Sequence, residues 1–227
     1  MYFMPFLFGP SFLILLPAII LAAYAQWRVR STYTKYSRVE AFNRLTAQEA
    51  AERILSAAAV SGVSIQSTER QLSDRYDPKA KALHLSAPTS TSIAAIGVAA
   101  HEAGHAIQHA HDYAPLSLRT AIVPIANFGS KLAFPLFLIG LFAQFQPLVT
   151  AGIIAFSAAV FFTLITLPVE FDASRRAIAS LRETMIVSEE ELGGVKEVLF
   201  AAALTYVAAA AMAALQLLML LSVNRRR

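Results

Sequence analysis

Apolar residues gather into long runs at Tyr2–Tyr24, Leu132–Phe145, Leu148–Leu167 and Val198–Val223, with polar stretches between them. About 20 consecutive apolar residues suffice for a helix to cross a bilayer. Tyr2–Tyr24 is uncharged and carries Pro5, Pro10 and Pro17, which a membrane helix tolerates better than a soluble one. Ala23-Tyr24-Ala25 resembles a signal-peptide cleavage site, but no basic residue precedes the run, so an uncleaved anchor is expected. Leu132–Phe145 and Leu148–Leu167, separated by Gln144-Phe-Gln-Pro147, read as a membrane hairpin. Its first arm is short unless it begins near Ile122, in which case Lys131 must snorkel or face protein. Pro115, Arg119, Pro124 and Gly129 mark the stretch ahead of it as a connector. Ser188-Glu-Glu-Glu191 is a helix start before the last run, whose alanines suit close helix packing.

Residues 40–90 have a different pattern. Thr46-x-x-Glu49 is a capping box opening an amphipathic helix over Ala50–Val60, which ends near Gly62. Val63–Glu69 and Ala82–Ser86 read as short strands and Asp77-Pro78-Lys79 as a turn, which predicts a small hairpin or sheet. That element either offers an edge along which an extended peptide can pair or merely covers the helix that follows. Ser90 or Ser92 then caps an almost wholly apolar helix that runs into His101-Glu-Ala-Gly-His105.

Composition supports a membrane protein: 56% of residues are apolar and 15% charged, below the charge usual for a soluble domain. There is no cysteine, so disulfides and thiolate metal sites are excluded, and any Zn²⁺ must be held by His, Asp or Glu. The net charge of +4 is small, and Arg and Lys flank the apolar runs as topology signals, so no nucleic-acid partner is expected. Arg28, Arg30, Lys35 and Arg38 follow the first run, which puts the N-terminus outside, with Tyr24, Trp27 and Tyr33 suited to the interface. The hairpin then leaves and re-enters the cytoplasmic face of the plasma membrane, leaving His101 and Glu170 on that side. A fourth span would carry Arg225, Arg226 and Arg227 outside, against the positive-inside tendency; otherwise the last run packs without crossing. Four spans is the reading adopted.

His101 and His105 lie one helical turn apart and can hold one Zn²⁺, with Glu102 beside them as general base toward an activated water. Two histidines leave a tetrahedral catalytic site one protein ligand short. His111 has the spacing of the HExxHxxGxxH pattern, but that pattern needs Gly where this chain has Gln108. In an unbroken helix, His111 would sit about 120° off the His105 face, and His109 is two turns from His101. Glu170, returned to the same level by the hairpin, is the preferred third ligand. Asp172 is its rival and lies about 200° around the helix from it, so the two cannot both face the metal. Arg175 and Arg176 are either interface anchors or groups that hold a ligand carboxylate or a substrate carbonyl. His84, Tyr76 and Tyr113 are candidate donors to the oxyanion that peptide hydrolysis would form. The metal helix, Ile93–Ile107, is short for a span and carries three ionisable residues, which argues against a site within the bilayer.

Several stretches resemble the YugP family of membrane-bound neutral zinc metallopeptidases, in the wider gluzincin group with HtpX and the CAAX prenyl proteases. They are Ser73-Asp-Arg-Tyr-Asp-Pro78, Ser92-Ile-Ala-Ala-Ile-Gly-Val-Ala-Ala-His-Glu-Ala-Gly-His-Ala-Ile-Gln-His109, Val123-Pro-Ile-Ala-Asn-Phe-Gly-Ser130 and Leu167-Pro-Val-Glu-Phe-Asp-Ala-Ser-Arg-Arg176. With the Ala-Ala-Ala-Leu-Thr-Tyr-Val stretch ending at Val207, they cover the chain from about the first span to the last. The resemblance implies Zn²⁺ on His101, His105 and Glu170, with Glu102 catalytic. The chain departs from the family pattern at Ala103, often Cys, and at Arg75, often His, which weakens a catalytic role for that turn. Ser174 stands where gluzincins usually carry Asp, which leaves the partner of the zinc histidines open.

The fold expected is therefore a mainly α membrane protein, with about four transmembrane helices and a small α+β zincin-like catalytic domain. Its parts would be an anchor (1–27), a cytoplasmic-side segment with the HExxH helix (28–121), a transmembrane hairpin (122–168), a third-ligand helix region (169–197) and a C-terminal apolar helix (198–227). The function expected is zinc metalloendopeptidase activity on protein or peptide substrates, in particular membrane proteins, with the lipid bilayer as surroundings. The alternative is a catalytically inactive zinc-binding membrane scaffold.

Overall fold

The computed structural model describes residues 13–70 and 72–225. Along them run α1 (Leu16–Tyr36), α2 (Ala47–Ala57), β1 (Ser64–Ser67), β2 (Arg75–Asp77), β3 (Ala82–Leu85), α3 (Ile93–Ala110), α4 (Ala114–Phe142), α5 (Gln146–Glu183) and α6 (Glu189–Arg225). The chain divides into two compact units, and α1, α4, α5 and α6 each contribute to both.

One unit comprises residues 27–117 and 168–204. Its α2 buries Ala47, Ala50, Ala51, Ile54 and Leu55, the i, i+3, i+4, i+7, i+8 stripe of an amphipathic helix, and packs on α3. The capping box that starts α2 is formed: Thr46 Oγ1 accepts from Glu49 N at 3.2 Å, and Thr46 N donates to Glu49 Oε2 at 2.8 Å. A second capping box links Ser188 and Glu191 at the start of α6. These elements close around a core that includes Ile54, Leu83, Leu85, Ile96, Leu181, Ile186, Leu192 and Val195.

The expected small sheet is present, with three strands. β1 and β3, the two strands legible in the pattern, pair in parallel, with Ile65 opposite Leu83. The hairpin is made by β2, a strand not expected from the pattern, and β3, antiparallel, with Tyr76 opposite Leu83. Asp77 Oδ1 closes its turn by accepting from Lys79 N at 2.8 Å and Ala80 N at 3.1 Å. The strand order β1-β3-β2 puts β3 in the middle, and its Ala82, Leu83 and Leu85 are all buried.

The other unit holds the described residues 13–26 together with 118–167 and 205–225. Its core is small: Leu15, Phe137, Val149, Ile153, Met219 and Leu220. Around it Ile125, Phe128, Phe134, Ile139, Ile154, Phe161, Leu218 and Leu221 are exposed, an apolar surface suited to lipid rather than water. Gly152 lets α4 and α5 touch, since a Cβ there would lie 2.7 Å from Phe137 N and 2.8 Å from Ala133 O. The hairpin turn contains Gln144 at φ 54°.

Three described helices, α4, α5 and α6, are long and apolar enough to cross a membrane. The expected connector is not a connector: α4 is helical from Ala114 through Pro124 and Pro135, and Lys131 lies exposed on it. Of the expected first span, the part before Leu13, with Pro5 and Pro10, lies outside the described residues, as do Arg226 and Arg227. Its described part continues as α1 to Tyr36.

Truncating the α2 stripe should be felt far more than removing its cap. Ile54→Ala should lower stability by about 2–5 kcal/mol and Thr46→Ala by about 1 kcal/mol, read as the order of midpoints in thermal unfolding in detergent.

Candidate metal centre

The centre is built from two helices of the first unit described, α3 and the 168–183 part of α5. Ser92 caps α3, accepting from Ala95 N at 3.3 Å, and the helix runs unbroken past Gln108 to Ala110. Nearly all of α3 from Ile93 to Gln108 is buried, so its polar residues have little access to water. His101 and His105, one turn apart, set their rings 4.8 Å apart and nearly perpendicular, at 82°.

Glu170 of α5 faces both rings. Its Oε2 lies 3.2 Å from His101 Nε2 and 3.5 Å from His105 Nε2. The other ring nitrogens are also engaged: His101 Nδ1 is 3.1 Å from Ser174 Oγ, and His105 Nδ1 is 3.0 Å from Gln108 Oε1. Two helical repeats are thus matched, His101 and His105 on one helix against Glu170 and Ser174 on the other. Gly104 permits the match, because a Cβ there would lie 2.5 Å from the Ala173 carbonyl oxygen.

One ligand atom from each of His101, His105 and Glu170 lies within 4.8 Å of the others. Tetrahedral Zn²⁺ with bonds of about 2.0–2.2 Å holds neighbouring ligand atoms roughly 3.3–3.6 Å apart, and the two His–Glu separations are close to that spacing. The donor set, two imidazoles and a carboxylate with no thiolate, also suits zinc.

Glu102 is buried beside the cluster and is engaged by no hydrogen bond among the described residues. Burial pushes its carboxyl above the ordinary range, while the neighbouring His101 and His105 pull it back down.

The remaining candidates fall elsewhere. His111 is the exposed C-cap residue of α3 and lies outside the cluster. Asp172 is buried but faces Gln108, Arg175 and Arg176: it accepts from Gln108 Nε2 at 2.9 Å and from Arg176 Nε at 2.6 Å, and Arg175 also pairs with it. The two arginines are therefore partners of Asp172, and Arg176 also lies 5.6 Å from the Tyr113 ring centre. Tyr76 hydroxyl is 2.8 Å from His109 Nδ1. His84 is half-buried on β3, opposite Arg75.

A family model described as "Putative neutral zinc metallopeptidase" matches residues 11–225. The chain belongs to this family. It is 46% identical over 203 residues to the "Putative membrane protease YugP" of Bacillus subtilis (strain 168), covering 88% of this chain and 90% of that one. No solved structure matches it.

For a member of a zinc-metallopeptidase family, two residues at the centre carry more weight than their sequence signal. Gln108 figured only as the place where a different zinc pattern would need glycine, and Ser174 only as the wrong residue for an expected aspartate. Both had a usable signal. Gln108 is a lone amide on an apolar helix, three residues after His105, and Ser174 is one turn after Glu170.

Gly104→Ala should force α3 and α5 apart, because the added methyl meets a backbone carbonyl that cannot rotate away. Overpacking of this kind destabilises by about 1–3 kcal/mol. Gly97→Ala is the control, since its methyl meets only the Val195 side chain, at 3.2 Å. Thermal unfolding should show a clear loss for Gly104→Ala and a much smaller change for Gly97→Ala; equal midpoints would contradict the close approach.

Proposed function

We propose that the protein is a membrane-embedded zinc metalloendopeptidase in which His101, His105 and Glu170 hold Zn²⁺ and Glu102 is the general base. The observation that carries this reading is the convergence of two imidazoles and a carboxylate beside a buried, uncommitted glutamate. Membership of the zinc-metallopeptidase family supports it. Zn²⁺ at this site supplies Lewis acidity to the scissile carbonyl and to water. Glu102 accepts a proton from the attacking water on a carboxylate oxygen and delivers it to the amide nitrogen as the C–N bond breaks, leaving a carboxylate and an amine. A carboxyl raised by burial suits a group that must both take and return a proton.

Substrates on this reading are proteins or peptides, membrane proteins in particular, presented in extended form. β2 is an edge strand packed on α3, so a peptide can pair along it by β-augmentation. The relative from Bacillus subtilis is named as a membrane protease, and the three apolar helices fit a multi-pass protein. We further place the site on the cytoplasmic side of the plasma membrane, with a fourth span at the N-terminus, from the basic residues Arg28, Arg30, Lys35 and Arg38.

Zinc content and casein digestion by the purified protein separate the roles. His101→Ala, His105→Ala and Glu170→Ala should each lose zinc affinity by orders of magnitude, while His111→Ala should stay within a few-fold. Glu102→Gln should retain zinc and lose at least 100-fold in activity, the scale of general-base catalysis. Loss of zinc by Glu102→Gln would overturn the division into base and ligands, and zinc-loaded wild type without activity would favour the scaffold.

Sidedness is open to a separate measurement. Ser64 is exposed on β1, and the chain has no cysteine of its own, so Ser64→Cys introduces a single thiol. An impermeant thiol reagent should label it only after the cells are opened; labelling of intact cells would place this unit outside.

A further inference from the structure

Gln108 is fully buried at 0% exposure and makes three polar contacts. Its Nε2 lies 2.8 Å from the Val169 carbonyl oxygen and 2.9 Å from Asp172 Oδ2, and its Oε1 lies 3.0 Å from His105 Nδ1. A carbonyl and a carboxylate only accept hydrogen bonds, so the end of the side chain facing them must be the NH₂ group. The amide cannot be turned over without setting its oxygen against two other oxygens in a buried place. Its own oxygen therefore faces His105 Nδ1, and an oxygen there can only be satisfied by a proton on that nitrogen. Asp172 is itself fixed by Arg175 and Arg176, so the orientation is held from the helix surface inward.

We propose that Gln108 is a positioning residue which keeps the proton of His105 on Nδ1 and so leaves Nε2 as the atom presented toward Glu170. His101 lacks this device, because the Ser174 hydroxyl can donate or accept and does not by itself select a tautomer. The two histidines thus differ: His105 is fixed by a chain of one-way hydrogen bonds, and His101 is steadied by a two-way partner. The consequence for metal binding rests on the reading of His105 as a zinc ligand, but the proton's position does not.

The test is nitrogen-15 NMR of the full chain in detergent, with labelled histidine, in the metal-free protein and after addition of zinc alone. His105 Nδ1 should be protonated in both states of the wild type, with its proton protected from exchange. Gln108→Met, similar in length and without hydrogen-bonding groups, should remove that protection and redistribute the proton between the two nitrogens. Zinc affinity, measured by competition with a chelator, should fall about 10- to 100-fold, as for other partners that orient metal-bound histidines. Asp172→Asn, which keeps an oxygen for Gln108 but can also turn a nitrogen toward it, should give an intermediate result.

An unprotonated His105 Nδ1 in the wild type overturns the proposal even if no variant folds. An unchanged histidine signature in folded Gln108→Met also overturns it. Wild type that shows the protected Nδ1 proton but does not bind zinc supports the positioning role and refutes the metal reading, so the two failures are distinct.

Discussion

The candidate metal centre depends on how closely two helix backbones approach. α3 and α5 touch at Gly104, where any side chain would run into the carbonyl of Ala173. At that distance residues one turn apart on each helix interleave, and His101 and His105 meet Glu170 and Ser174 without long side chains bridging a gap. The glycine inside His-Glu-Ala-Gly-His is thus no idle spacer. Its intrinsic penalty in a helix, about 1 kcal/mol against alanine, is offset by contacts available only at that separation. The same approach brings Gln108, one turn beyond Gly104, within reach of the Val169 carbonyl and of Asp172.

What could be read from the sequence was what depends on regular spacing. The four-residue interval of His101 and His105 needs only a helix, and the apolar run around it ensures one. The capping box at Thr46 and the amphipathic stretch read over Ala50–Val60 are local in the same sense; the box is formed, and the helix runs Ala47–Ala57. Glu170 could be reached because two apolar runs joined by a short turn bring the chain back, whatever the details of their packing.

What could not be read depends on partners distant in sequence. β2 is three residues long and polar at two of them, too short for alternation to register, so the strand that makes the hairpin with β3 went unseen. The central position of β3 buries both of its faces and blurs its own period. Pro124 and Arg119 suggested a break before the membrane hairpin, yet α4 passes through, as helices in an apolar setting can. Arg175 and Arg176 read as interface anchors or as ligand-holding groups because Asp172, three and four residues before them, was weighed only as a rival for the metal.

Electrostatics bears on the choice between a metal centre and a self-contained hydrogen-bonded triad. A carboxylate between two imidazoles could be satisfied by protons alone, and with only His101, His105 and Glu170 the two readings would be hard to separate. Glu102 adds weight to the proposed metal reading. It adds a second carboxylate to the same buried region, and burial drives its pKa upward. His105 responds in the opposite sense to its own burial, which alone would lower its pKa. The Glu170 and Glu102 carboxylates outweigh that and hold it above the ordinary value. Both carboxylates thus favour positive charge at His105. Extra protons on the histidines can supply that charge, but they leave no lone pair on either ring. On the proposed reading a dication would supply it while the rings stay neutral and present Nε2, with Nδ1 held by Ser174 and Gln108. With Glu102 ionised, two carboxylates and two neutral imidazoles beside one divalent ion would balance to zero, the state a low-dielectric interior favours most.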